Sequence, residues 1–395
     1  MKTSKRIIGL AAAFVCSASV VGNVQAVSLD KEGIQKGGVT FLPGLAVNET
    51  YNDNIYGETT AKNSWITEVN PIIGAKIEIG KHDLSVGYEG KFGVYHDAAD
   101  DNYDDHEFTA NVDFDFNESF GLSVDAGSKL GHDDRGSSDA AATPVPSEYT
   151  KNSVGTDIRI GRKDSNRIEI GAGYMDLDYT NNVSSTAGLE HANTSADASF
   201  FWELMPKTSL LVGIDYTDHD YDVNTSVTDS HDLFYFAGLD WSATGKTDGT
   251  IKLGYTEKDF DSSSVADWND FSWDATINWK PLDHAKFTLN TGRSPTESTG
   301  TGSHSIKDDV SLEWSHEWLE DKFSTSVKGT LSQSEYQGAG QTRVDDDSKI
   351  NLGADYKFNR WGMVGLEYTH EERDSNSNTS DYDRNIFMIS VKTAM

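Results

Sequence analysis

The chain is almost without thiol chemistry: its 395 residues hold one cysteine, Cys16, inside a short apolar stretch near the N-terminus. Lys2, Lys5 and Arg6 precede that stretch, Ile7 to Val21 forms it, and Val24-Gln25-Ala26 puts small residues at the −3 and −1 positions of a cleavage site. This is the build of a secretory signal peptide, and the stretch is too short for the roughly 20 residues of a spanning helix. Cleavage after Ala26 would leave no cysteine, which excludes disulfides and thiolate metal sites from the mature chain. Bases are scarce too. There are 33 Lys and Arg against 64 Asp and Glu, and the net charge of −31 falls to −34 once the leader takes its three bases away. A nucleic-acid surface needs clustered Lys and Arg, so that class is excluded. No long apolar run follows the leader, which excludes a bundle of membrane helices. It does not exclude a transmembrane barrel, whose strands show lipid only every second residue. Chemistry-bearing motifs are absent as well. Neither G-x-S-x-G nor H-E-x-x-H occurs, and the neighbouring pairs Asp218-His219, His231-Asp232, Glu190-His191 and Asp105-His106 would point to opposite faces of a strand. No enzyme and no cofactor is expected.

What is present is alternation. In residues 107–116 the even positions are Phe108, Ala110, Val112, Phe114 and Phe116, and the odd ones are Glu107, Thr109, Asn111, Asp113 and Asp115. Residues 271–280 and 350–358 repeat the pattern, which has the period of a strand and not of a helix. Runs of about ten residues suit a tilted strand crossing the hydrocarbon layer. Short polar turns, such as Lys81-His82-Asp83, Asn117-Glu118-Ser119 and Pro206-Lys207, alternate with long acidic Ser/Asn/Gly-rich stretches such as 97–105, 131–148 and 294–304. The expected fold is all-β: a transmembrane antiparallel barrel of about 18 strands, or 16 if the weak hairpin near 285–316 is not one. Its domains would be a signal peptide over 1–26, a short periplasmic segment over 27–37 and the barrel over 38–395. An even strand number places both termini in the periplasm of a bacterial outer membrane, with lipid and lipopolysaccharide as surroundings. Aromatics form two girdles, with Tyr51, Trp65, Tyr95, Tyr174, Tyr255 and Tyr368 toward the loops and Phe116, Trp202, Trp279, Trp318 and Phe358 toward the turns.

Fixing the alternation also fixes the inner face. Its carboxylates are Glu68, Glu78, Glu89, Asp113, Asp115, Asp125, Asp157, Glu169, Asp197, Asp215, Asp240, Asp274, Glu313, Asp355 and Glu367. Its bases are Lys76, Lys91, Lys129, Arg159, Lys252, Lys280, Lys286, Lys328, Lys349 and Lys357. Fifteen acids against ten bases make a mixed, mildly negative wall, which is either a wet lumen knit by ion pairs or one tuned for selectivity. Such a wall suits a neutral or cationic solute and suits a polyanion badly. Acidic loop clusters, Asp100-Asp101, Asp133-Asp134 and Asp345-Asp346-Asp347, lack the spacing of a calcium loop and are expected as solvated charge or as bridges to lipopolysaccharide. The loop 131–148 carries an uncharged core including Ala140, Ala141, Ala142, Pro144 and Pro146, and is expected to fold inward as a constriction.

The segment Glu49-Thr50-Tyr51-Asn52-Asp53-Asn54-Ile55-Tyr56, followed by Trp65-Ile66-Thr67-Glu68-Val69-Asn70-Pro71, resembles the opening hairpin of the putative β-barrel porin 2 family. The family-like positions are Asp53, Asn54 and Pro71, the first two being ordinary turn formers and the third an interruption of a ladder. Many members of that family are encoded beside exopolysaccharide genes. The resemblance therefore implies a conduit for a polysaccharide substrate, working with a periplasmic polysaccharide-export protein. A porin for small hydrophilic solutes is the second reading, and a surface hydrolase the third.

Overall fold

The computed structural model describes residues 33–137, 143–163, 165–223, 226–319, 322–377 and 379–394. The expected signal peptide and Ala140, Ala141 and Ala142 lie outside these. Strands come in the order β1 (Ile34–Lys36), β2 (Val39–Asn52), β3 (Ser64–Ile79), β4 (His82–Tyr95), β5 (Tyr103–Asn117) and β6 (Phe120–Asp133). Then follow β7 (Ser147–Gly161), β8 (Arg167–Tyr179), β9 (His191–Met205), β10 (Thr208–Tyr221), β11 (Ser230–Thr244) and β12 (Thr247–Phe260). The last are β13 (Trp268–Leu282), β14 (Ala285–Glu297), β15 (His304–Trp318), β16 (Phe323–Gln337), β17 (Val344–Asn359), β18 (Gly362–Ser375) and β19 (Tyr382–Ala394).

From β2 onward each strand pairs antiparallel with its sequence neighbours, and β19 pairs back to β2 from Ile386↔Asn52 to Ala394↔Gly44. The result is a closed 18-strand barrel with one extra strand. Closure leaves no long edge for another chain to extend. The extra strand falls within the short N-terminal segment expected over 27–37. Gly37 and Gly38, with φ of 60° and 82°, make a two-residue turn that lays Ile34–Lys36 against Val39–Phe41. It lies where β19 has already ended, so β1 continues the wall beside β2 for three residues.

Register follows from which face meets which medium. Val86, Phe108, Val154, Ile170, Val212, Leu253, Leu312, Leu352 and Leu366 are all exposed and all have outward parity. In water so large an apolar surface would drive association, whereas lipid matches it. Short turns gather at one end of the barrel and long loops at the other. Both chain ends of the barrel, Val39 and Ala394, lie at the turn end.

Two expectations need correction. Most strands run 13 to 16 residues rather than about ten, with much of the excess at the loop end. There they rise beyond the lipid layer, where the outer face has no need of apolar residues and the alternation fades. Tyr95 is not part of the girdle. It points inward and is buried with Ile55 and Ala98, its hydroxyl reaching Asp134 Oδ1 at 3.4 Å.

Candidate pore and its constriction

The acids and bases expected to line the lumen lie on the face opposite the exposed apolar residues, and they do not behave alike. Glu68 accepts from the Tyr103 hydroxyl at 2.5 Å and from Asn48 Nδ2 at 2.9 Å. Asp113 accepts from Ser123 at 2.6 Å, Arg159 pairs with Asp115 at 3.0 Å, and Asp240 meets Arg167 at 3.2 Å. Glu313 and Lys328 are direct cross-strand neighbours, and Glu89 faces Glu107. Asp355 and Glu367 stand on β17 and β18, each opposite a glycine, Gly365 and Gly353. Asp125, on β6, is opposite Gly155 and lies where a Cβ there would strike its carboxylate. Asp157 and Asp197 flank Gly171, and Asp197 is opposite Asp215. Like charges set directly across a sheet are destabilising. In this row one base answers, Lys252, which reaches Asp215 at 3.4 Å. Asp274 follows beside Lys252 on β13.

The inner wall also has an apolar patch that strict alternation does not foresee. Phe201, Leu211 and Phe236 are buried inside the barrel with Phe234 against them. The Arg167 guanidinium lies 3.6 Å over the Phe201 ring, and Lys252 Nζ lies 4.4 Å over Phe236. The sign of it in the sequence is three consecutive apolar residues, Phe200-Phe201-Trp202, Leu210-Leu211-Val212 and Phe234-Tyr235-Phe236, which must place one on the inner face.

The feature that enters the lumen is the tip of the β14–β15 hairpin, whose Glu297 meets side chains of β10 and β12. Glu297, at the top of β14, bonds to Lys258 Nζ on β12 at 2.6 Å and accepts from the Tyr221 hydroxyl on β10 at 2.6 Å. Around the wall β10 and β14 are four strands apart, roughly 19 Å at the usual strand spacing. Contact over that span requires the hairpin tip to lean into the lumen over the inner face of β10 to β13. Lys258 also meets Asp232 at 3.1 Å, and His219 Nε2 lies 3.2 Å from Asp232 and 3.5 Å from Glu297. The His304 ring packs on Phe260 at 5.3 Å between centroids. Lys258 is wholly enclosed, and Ile306 is 1% exposed. This hairpin is the one whose strands the sequence marked as weak.

The chain matches the family model described as "Putative beta-barrel porin 2" over residues 28–395. It belongs to that family. Solved barrels of Pseudomonas aeruginosa share the fold at low identity. OpdK is 12% identical with a TM-score of 0.53, over 90% of this chain and 99% of that one. OpdQ is 11% identical with a TM-score of 0.51, over 92% of this chain and 100% of that one. OccK3 (OpdO) is 13% identical with a TM-score of 0.50, over 90% and 96%. No curated protein matches. As a porin barrel, this family member is a protein of the bacterial outer membrane, set in its lipid.

In this family member Asp53 and Asn54 close the wall. Asp53 accepts through both carboxylate oxygens from Asn385, from its backbone N–H at 2.7 Å and from its side-chain amide at 2.8 Å. Asn54 is buried and donates to the carbonyls of Glu58 and Asp383 at 2.8 and 3.1 Å. The Asp-Asn step thus ties the first barrel strand to the last. Pro71 faces outward opposite Leu45, and the β3–β4 ladder skips it, passing from Val69↔Phe92 to Ile72↔Glu89. Two of the acidic clusters meet arginine, while Asp133 accepts from the Tyr179 hydroxyl at 2.6 Å and Asp134 lies 3.2 Å from His132 Nε2. Asp101 pairs with Arg135, which also bonds the Tyr56 hydroxyl, and Asp345 meets Arg343 at 2.6 Å and Arg373 at 3.7 Å. Burial, with Asp101 beside it, pushes the Tyr56 phenol up to about 12. The Asp101 carboxylate likewise raises the Arg135 guanidinium above its usual range. Of the loop expected to constrict, Pro144 is exposed and Pro146 buried, and Asn181 and Asn182 donate to the Pro146 and Val145 carbonyls. Its stem is therefore fastened to the loop after β8.

Proposed function

We propose that this barrel is a porin for the diffusion of small hydrophilic solutes. The observation that carries the reading is the tip of the β14–β15 hairpin, which leans into the lumen and is held there by Glu297. A polymer strand needs a lumen open along its length, whereas a small solute passes a narrowing. OpdK, one of the barrels with this fold, has also been solved with vanillate, a small solute. The long loops would face the outside and the turn end the periplasm, with residues 1–26 removed on export. The excess of carboxylates on the inner face favours neutral and cationic solutes.

Liposome swelling with sugars of graded size tests the reading. Monosaccharides should enter proteoliposomes fast, with a steep fall for oligosaccharides. The competing reading, export of exopolysaccharide with a periplasmic partner, rests on the family resemblance. It would be favoured if long oligosaccharides entered freely and deletion of the gene abolished secreted polymer.

A further inference from the structure

At the loop end the wall is unzipped between β13 and β14. The β12–β13 ladder continues to Lys258↔Trp268 and the β14–β15 ladder to Glu297↔His304. The β13–β14 ladder stops lower, at Trp273↔Arg293. Residues 268–272 and 294–297 therefore have no ladder partner across that gap. Backbone groups without partners are tolerated only where water reaches them, which fits the extra strand length rising out of the lipid. On its other side the hairpin stays paired with β16 as far as His304↔Gln337. The tip is a flap hinged along one edge and free along the other. Arg293 sits at the parting point, bridging Asp270 at 3.1 Å and Asp308 at 2.7 Å.

On the inner wall of β10 to β12 the free edge is held by side chains. His219, Asp232 and Glu297 converge closely enough to suit a metal ion, but the Lys258 ammonium already stands between the two carboxylates. Asn193 Oδ1 lies 2.9 Å from His219 Nδ1, so that nitrogen donates and Nε2 is turned to the two acids. Glu297 alone among the acids belongs to the flap. The cluster thus joins one flap carboxylate to a cation, a phenol and an imidazole on the wall.

We propose that this hairpin is a gate, with Glu297 on Lys258 as its latch and the unpaired β13–β14 seam as the line along which it parts. The inference rests on the porin reading in placing the flap across the solute path. In the closed state the apolar side of the flap is shielded, as the burial of Ile306 shows. Opening would expose it to water and widen the passage.

The only cysteine of the sequence is Cys16, in the expected leader, so Ile306→Cys introduces a single thiol into the mature barrel. In the latched protein this thiol should react slowly with a water-soluble methanethiosulfonate. Glu297→Gln removes the charge of the latch and should speed the reaction about tenfold or more, since a hydrogen bond to a charged group is lost. Tyr221→Phe removes only the phenol contact, leaves the ion pair, and should give a smaller rise; it serves if the first variant folds poorly. Single-channel recordings should show larger or longer openings in the same order. Equal thiol reactivity in all three backgrounds would overturn the gate, even with conduction intact, and would leave the porin reading standing. Faster labelling without conduction in any background would instead sink the porin reading and keep the hinge.

Discussion

At the scale of the residue, the barrel depends on a few polar side chains placed where strands must be fastened. Asp53 has both carboxylate oxygens committed to Asn385, 332 residues away in sequence, so it acts as a clasp on the seam. Replacing it with alanine leaves the Asn385 amide groups without their charged acceptor. We expect Asp53→Ala to cost about 1–3 kcal/mol, seen as a lower urea midpoint in unfolding followed by heat-modifiability on gels. Pro71→Ala should be close to neutral, because the ladder already skips that position. A loss as large for Pro71 as for Asp53 would argue against the clasp. The tie among Tyr56, Asp101 and Arg135 has a definite pH sense. Both shifted groups keep their protons to higher pH than usual, so their contribution is present at neutral pH and is lost as pH rises toward their raised values, seen as a falling urea midpoint in strongly alkaline buffer.

At the scale of the element, the two faces of each strand answer to different solvents. Val112 and Ile277 have outward parity, and Asn111 and Asn278 point inward; Asn278 donates to Asp248 at 2.9 Å and accepts from Thr288 at 3.0 Å. Arginine at Val112 or Ile277 should cost roughly 2–4 kcal/mol through charge at mid-membrane depth. Arginine at Asn111 should be tolerated, since it meets a wet, acidic wall. Folded fractions on heat-modifiability gels read the difference, and equal losses on both faces would show the register displaced by one residue. Alternation made most of these strands legible. It did not reveal their upper ends, such as 344–347 of β17 or 334–337 of β16, because above the lipid neither face is selected to be apolar.

At the scale of the whole molecule, the inner wall carries more acids than bases and spaces its carboxylates around the ring. Asp125, Asp157, Asp197, Asp215 and Asp274 lie on β6, β7, β9, β10 and β13, answered mainly by Lys252. A field of one sign along a narrow passage concentrates the opposite ion. In a potassium chloride gradient across a planar bilayer, the reversal potential should therefore show a preference for potassium, weakened by salt as charges are screened. Charge reversal at Asp157 and Asp197 to lysine should lower or invert that preference; an anion-selective wild type would contradict it.

What the sequence by itself determined was everything that repeats every two residues. The barrel, its 18 spanning strands, the orientation of Asp113 or Lys252 toward the lumen and the alternation of turns with loops all follow from one rule, that each strand meets lipid on one side and water on the other. The Asp53-Asn54 step was visible as a family-like signature, but its partner was not, because Asn385 comes near only when the ring closes. Tyr95 looked like a girdle residue by its place along the strand, and its parity turns it inward to Asp134 instead. Only the tertiary structure decided which segment enters the lumen. The uncharged loop 131–148 drew attention by composition, and its core lies outside the described residues; the hairpin tip that leans inward is held by Glu297, Lys258, Asp232 and His219 from four different strands. No local pattern encodes that meeting. It depends on where β14 parts from β13 and on how far the tip then leans over the inner wall, and those are properties of a closed ring rather than of any strand within it.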